Sequence, residues 1–181
     1  LESFLYSKNF KYQDTLIFER DDLILKDETI LPSGSFKDRQ TLFLLTIAKA
    51  LNIGGVEVVS CGNAAISAAY LGRVFEMPVR VIVPVNVSRD KLEILQNLDV
   101  EIKKQGANYE ETYRLTLENL GANDFWNITP GINPLAELGL FMIGSELASQ
   151  SQEITDVLVP AGNGALLYGI FRGYELYNHR N

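Results

Sequence analysis

The sequence has little with which to build a metal site or a disulfide. Its 181 residues include one cysteine, Cys61, and one histidine, His179. A single thiol excludes an intrachain disulfide, and a zinc site of thiolates and imidazoles lacks its donors, so no metal is expected. No run of about 18 apolar residues occurs, and no membrane-spanning helix is expected. Acidic residues outnumber basic ones, 23 against 16, for a formal net charge of -7. No run of Lys or Arg offers a surface to nucleic acid or an anionic membrane, and neither is expected as a partner. Also missing are a G-x-G-x-x-G fingerprint and a P-loop, which argues against a nucleotide-binding α/β domain. The opening "LESFLYSKNF" lacks the basic segment and apolar core of a signal peptide. With the single cysteine, this suits a cytoplasmic setting. The first residue is Leu rather than Met, and the natural start is expected to lie upstream.

Apolar residues make up 46% of the chain and charged residues 22%, a balance that allows a packed core under a charged surface. From Ser35 onward, helix and strand patterns alternate. "SFKDRQTLFLLTIAKALN" sets Phe36, Phe43, Ile47 and Leu51 at helical spacing, with Ser35 three residues before Asp38 as in a capping box. "VEVVS" is a β-branched strand, and "NAAISAAYLGRVFE" a helix of small residues suited to close packing. "VRVIVP" is a strand ended by Pro84. "SRDKLEILQNL" is a helix with Ser88 as its cap and Lys91 on its surface. The strand "DVEIKKQ" has a polar tail that fits a sheet edge. The helix "NYEETYRLTLENLG", the strand "DFWNIT" and the helix "NPLAELGLFMIGSELASQ" follow, then the strand "TDVLVP" and the helix "NGALLYGIFRGYELYN". Short connections between alternating strands and helices require parallel pairing, so a doubly wound α/β fold is expected. Ligands of such sheets sit outside the carboxyl ends of the strands. Residues 1–35 read differently: "TLIFER" and "LILKDE" predict a hairpin.

Chemistry concentrates in a few short segments. In "LPSGSFKDRQTL", Lys37 lies at the start of a helix behind a loop of small residues. It is either a solvated lysine or an amine kept neutral by the positive end of the helix dipole, as Schiff-base chemistry needs. In "VVSCGNAA", a strand ends, Gly62 permits a sharp turn and a helix opens at Asn63. This is either a plain turn with Asn63 as its cap or an anion site made from unpaired helix-start N–H groups. In "VLVPAGNGALLYG", the loop Gly162, Asn163, Gly164 precedes another helix, and backbone amides there can close on a phosphate.

In their order and spacing, "PSGSFKDR", "SCGN" and "VPAGNGALL" resemble the pyridoxal-phosphate enzymes of fold type II. That family includes tryptophan synthase β, cysteine synthase, threonine dehydratase and threonine synthase. The resemblance runs from about Leu25 to Gly169, and Phe36 with "SCGNAAISAAY" is most similar to threonine synthases. It implies that Lys37 holds pyridoxal 5'-phosphate and later shuttles protons, and that Asn63 bonds the cofactor's ring hydroxyl. Ser60, Cys61, Gly62, Asn63 and Ala64 would grip the substrate carboxylate, and Gly162, Asn163, Gly164 and Ala165 would cradle the cofactor phosphate. The implied activity is a lyase that converts O-phosphohomoserine and water to threonine and phosphate. A threonine or serine dehydratase, a cysteine-synthase-like β-replacement enzyme and a non-catalytic paralogue are the alternatives. The resemblance further implies an amino-acid substrate and a homodimer.

The sequence departs from the family at several positions. Cys61 stands where Ser is usual, and Gln40 where Gly or Ala is common. Ala136 occupies the position at which many threonine synthases bind the substrate phosphate with Arg. Arg39, Asn133 and Thr129 are candidate replacements, Arg39 foremost because a guanidinium binds phosphate with two hydrogen bonds. The family continues beyond the phosphate loop, so the chain is expected to be truncated and inactive by itself. Residues 1–40 and 152–181 would then belong to an incomplete large domain, and 41–151 to a smaller, mobile one.

Overall fold

A computed structural model describes residues 14–179 except 123 and 152. The first part of the expected large domain, residues 1–13, lies outside it. The predicted hairpin is present: β1 (Ile17–Arg20) and β2 (Leu23–Lys26) pair antiparallel, with Arg20 opposite Leu23. Asp21 takes a positive φ of 52° in the two-residue turn between them, a conformation that Asp tolerates better than most residues.

A parallel sheet forms the centre, in the order β5 (Glu101–Lys104), β4 (Val79–Val83), β3 (Val56–Val59), β6 (Trp126–Asn127). Strands buried on both faces read as β-branched runs, and β3 and β4 do so except at Glu57 and Arg80, which pair with each other at 3.6 Å; Val58 lies opposite Val81. Among the described residues β5 pairs with β4 alone, and its side chains face largely outward, as its polar sequence predicts. The helices are α1 (Lys37–Ala50), α2 (Asn63–Phe75), α3 (Arg89–Gln96), α4 (Tyr109–Glu118), α5 (Phe141–Gln150) and α6 (Ala165–Asn178). The small residues of α2 let it settle onto the sheet: a Cβ on Gly72 would overlap the Val79 side chain.

Several local expectations are corrected. Asp38 does not complete a capping box with Ser35; its carboxylate takes the Ser33 N–H at 2.7 Å and the Ser33 hydroxyl. The Pro-Ser-Gly-Ser loop is thereby tied to the first turn of α1. The predicted helix from Asn133 begins as a 3-10 turn (Pro134–Leu140) before α5. Asn133 caps that turn through the Leu135 N–H at 3.1 Å, and Pro134 suits its first position. Residues 155–160 carry no ladder, because no strand among the described residues lies beside them.

Apolar side chains divide into two cores. The larger joins the sheet to α1 and α2 and includes Leu45, Val56, Val81, Phe75 and Ala136. The smaller joins α5 to α6 through Leu140, Ile143, Leu147, Ala165 and Ile170. Glycines allow that helix pair its close approach: a Cβ on Gly144 or Gly173 would overlap the facing backbone. Ala136 thus packs in the larger core and Leu140 in the smaller, where α5 groups with α6.

Candidate active site

The order of the strands fixes where a ligand can sit. The chain runs from β3 outward through β4 to β5, then returns to place β6 on the other side of β3. The crevice between β3 and β6, at their carboxyl ends, is the switch point at which open parallel sheets bind ligands. It is bounded by Ser60–Gly62 after β3 and by Thr129 after β6. The Thr129 hydroxyl accepts the Val59 N–H at 2.8 Å, fastening one strand end to the other.

The first of these loops leads straight into α2. The Ser60 hydroxyl accepts the Gly62 N–H at 3.1 Å, and the Gly62 carbonyl accepts the N–H groups of Ala65 and Ile66. Gly62, not Asn63, is therefore the cap residue. Among the described residues, the N–H groups of Asn63 and Ala64 and the Asn63 side chain find no partner. Unpaired donors at the start of a thirteen-residue helix form an anion site. Cys61 is half-buried, and its Sγ lies 3.7 Å from Lys91 Nζ. The sequence reading left Lys91 as a plain surface residue. It follows the end of β4 on the same side of the sheet, so the strand-end rule would have found it.

Lys37 opens α1, and two links bring it to this crevice. The Thr41 and Ser67 hydroxyls bond at 2.9 Å. Each lies four residues inside its helix, so the starts of α1 and α2, at Lys37 and Asn63, lie at the same end of the pair. Phe36 packs against the smaller core, the cluster that also holds Ala165 at the start of α6. Among the described residues no hydrogen bond joins Lys37 to either loop. Its Nζ donates to Gln40 Oε1 at 2.9 Å and lies 4.7 Å from the Phe36 ring centroid. Burial pushes the amine below the ordinary lysine range. Desolvation supplies the effect that the sequence reading assigned to the helix dipole.

The third segment, at the start of α6, is an open cradle. Gly164 has φ +83°, a conformation that L side chains rarely adopt, and caps the helix. Asn163 Oδ1 accepts the Ala165 N–H at 3.3 Å. An added Cβ on Gly162 or Gly164 would meet nothing within 4 Å, so there is room for an anion against the backbone. The groups present fit a phosphorylated aldehyde cofactor. Burial lowers the proton affinity of a half-buried amine, a glycine loop is free to close on phosphate, and among the described residues Ser35 Oγ and the Nε2 of Gln40, whose Oε1 holds the amine, are buried without partners.

Arg39 does not belong to the crevice. Its guanidinium is fully buried and bonds Glu28 at 2.5 Å and Glu146 at 2.5 Å, with Thr15 at 3.0 Å. As a phosphate-binding candidate it is corrected to a structural residue, because carboxylates already take its donors. Asn133 is spent on Leu135 and on the Asn127 carbonyl, and the Thr129 hydroxyl oxygen accepts from the Val59 N–H. Ala136 is buried in the larger core. Among the described residues no cluster of His, Cys, Asp and Glu could hold a metal, and no helix is long and apolar enough to cross a membrane.

Known proteins resemble this chain over most of its length. A serine dehydratase-like protein of Homo sapiens is 32% identical over 157 residues, covering 83% of this chain and 46% of its own. A threonine synthase of Methanosarcina acetivorans is 28% identical over 156 residues, covering 84% of this chain and 38% of its own. Several further relatives are named threonine dehydratase or L-threonine ammonia-lyase. The chain spans less than half the length of each of those two relatives. Among solved structures, the processed form of threonine deaminase isoform 2 from Solanum lycopersicum superposes with a TM-score of 0.80 at 20% identity, over 97% of this chain and 55% of its own, a likeness of fold. The model of the family described as pyridoxal-phosphate dependent enzyme matches residues 16–180. The chain belongs to the family of pyridoxal-phosphate-dependent enzymes.

Proposed function

We propose that the protein is a pyridoxal-phosphate-dependent lyase that removes ammonia from a β-hydroxy amino acid of the serine or threonine type. The observation that carries this reading is that none of the positions singled out in the sequence for a substrate phosphate offers a cation to it, while Lys91, the cation beside the Cys61 turn, lies against the thiol at 3.7 Å. Arg39 is locked between Glu28 and Glu146, Thr129 and Asn133 are bonded internally, and Ala136 has no donor. A hydroxyl leaving group makes no such demand. The dehydratase and ammonia-lyase names among the relatives support the same choice.

Pyridoxal phosphate, when bound, supplies an electron sink for the charge that develops at the substrate α-carbon. The remaining tasks fall to the chain. Gly162, Asn163, Gly164 and Ala165 would hold the cofactor phosphate by backbone N–H groups and the dipole of α6. Asn63, with an exposed and unbonded amide, would hold the cofactor ring. The substrate carboxylate would lie at the start of α2, against the N–H groups of Asn63 and Ala64 and the turn Ser60, Cys61 and Gly62. A thiol at residue 61 leaves those N–H groups unchanged. Lys37 Nζ, kept low in proton affinity by burial, would carry the cofactor and then take the proton from the α-carbon, with a proton passing to the β-hydroxyl so that it leaves as water.

Threonine synthase is the second reading, favoured by Phe36 with "SCGNAAISAAY" and by the Methanosarcina acetivorans relative. The deciding experiment presents threonine, serine, O-phosphohomoserine and O-acetylserine with sulfide side by side. Ammonia and a 2-oxo acid from threonine or serine are expected. Phosphate release from O-phosphohomoserine at a higher kcat/KM would replace this reading with the second.

A further inference from the structure

Gln40 is the departure from the family pattern that touches the lysine itself. Three residues after Lys37 it lies on the same side of α1, where its Oε1 accepts the hydrogen bond from Nζ at 2.9 Å. The Gln40 side chain is only 2% exposed, and its Nε2 has no partner among the described residues. Its backbone is clamped from two sides. Arg39 is fixed by Glu28 and Glu146, and Gly139 approaches so closely that an added Cβ would overlap the Arg39 carbonyl and press on the Gln40 Cα. A buried amide on a clamped backbone presents its oxygen in one direction.

The charged neighbours of the amine are engaged elsewhere. Asp38 holds Ser33, and Arg39 holds the two glutamates. Among the described residues no carboxylate lies within ion-pair reach of Lys37 Nζ. A carboxamide oxygen can therefore orient this amine without adding a full negative charge. A carboxylate there would hold it as an ammonium, and an apolar side chain would leave it unheld.

We propose that Gln40 is a positioning residue for Lys37: its carboxamide oxygen fixes the direction of the amine and sets the balance between its neutral and charged forms. The proposal deepens the reading of Lys37 as the cofactor lysine and rests on it for its functional meaning.

The test is the rate at which acetic anhydride acylates Lys37 in the cofactor-free protein, followed by peptide mapping at several pH values. Wild type is compared with Gln40→Met, which removes the acceptor at similar volume, and Gln40→Glu, which keeps the shape and adds charge. At a fixed pH below the amine's titration, Gln40→Met should label faster and Gln40→Glu slower. Each change should approach roughly tenfold, the effect of a hydrogen bond to a charged group. Opposite directions are the signature, since a purely structural role would move both variants alike. Unchanged rates in both, or a shift of the same sign, would overturn the proposal. Should Gln40→Glu not fold, Gln40→Asn shortens the acceptor's reach and should label like Gln40→Met; wild-type labelling in Gln40→Asn would overturn it equally. Borohydride reduction of the cofactor-loaded protein is read separately. Cofactor found on another lysine would remove the functional reading while leaving the labelling result intact.

Discussion

Burial favours the neutral Lys37 amine, and a neutral amine is what attacks an aldehyde. Borohydride reduction of the cofactor-loaded protein should therefore leave pyridoxal on the peptide containing Lys37 and on no other; label at Lys26 or Lys49 would end the assignment. Lys37→Ala should abolish that label and activity together. It should change stability by less than about 0.5 kcal/mol, because Lys and Ala differ little in helix preference; circular dichroism melting measures this. Residue identity made much of this legible, since a lysine behind a small-residue loop and two Gly or Asn turns at strand ends stand out in one dimension. The direction of a side chain does not stand out. Arg39 reads as a phosphate ligand from its neighbours in sequence, yet its partner Glu146 lies far along the chain. Gln40 reads as a substitution, and only the folded helix shows its oxygen on the lysine.

At the scale of elements, a buried charge cluster ties the hairpin to α1 and α5. Glu146 of α5 accepts from Arg39 of α1 and from Lys26 of β2, while Lys26 also reaches Gln150 and the Thr15 carbonyl. Removing one partner of such a cluster strands a buried charge, so Glu146→Ala should cost roughly 3–5 kcal/mol in urea unfolding. A loss below about 1 kcal/mol, the range of an exposed pair, would mean that water reaches the cluster. The same carboxylate sets an acid limit. Burial pushes the Glu146 carboxyl up, but hydrogen bonds from Arg39 and Lys26 outweigh it and bring it down from 4.5 to about 2. A folded-state value below the unfolded one means stability that is fully present above about pH 4.5. It is lost as pH falls from there toward about 2. Unfolding free energy of wild type should fall over that window more steeply than that of Glu146→Gln, which has no proton to gain at this position. Parallel curves would contradict this account. The helices and the inner strands were legible because their periodicities of 3.6 and 2 are local. The 3-10 start at Pro134 was not, because it depends on Asn133 holding the Leu135 N–H and on Gly139 fitting under α1.

Across the whole molecule, contacts of α1 with α2 at Thr41–Ser67 and at Lys49–Phe75 bring the two helix starts to the same end of the pair, and the smaller core that receives Phe36 also holds Ala165 at the start of α6. The parallel α/β class could be read from alternation, but the strand expected at residues 155–160 could not be checked by its own residues, since a ladder belongs to a pair. Two cores joined around a shared ligand predict that the cofactor stabilises the fold through the glycine cradle. At about 100 times its dissociation constant, a ligand that binds only the folded state adds about 2.7 kcal/mol, readable as a rise in melting temperature. Gly162→Ala and Gly164→Ala separate the cradle's shape from its conformation. Both added methyls have room, but only Gly164 has a positive φ, +83°. In the cofactor-free protein, Gly162→Ala should stay within about 0.5 kcal/mol of wild type, and Gly164→Ala should lose about 1–2 kcal/mol to left-handed strain. With cofactor added, both should show a smaller thermal shift than wild type, because each methyl enters the space where backbone N–H groups meet phosphate. A full shift in Gly162→Ala would place the cofactor phosphate elsewhere in the molecule.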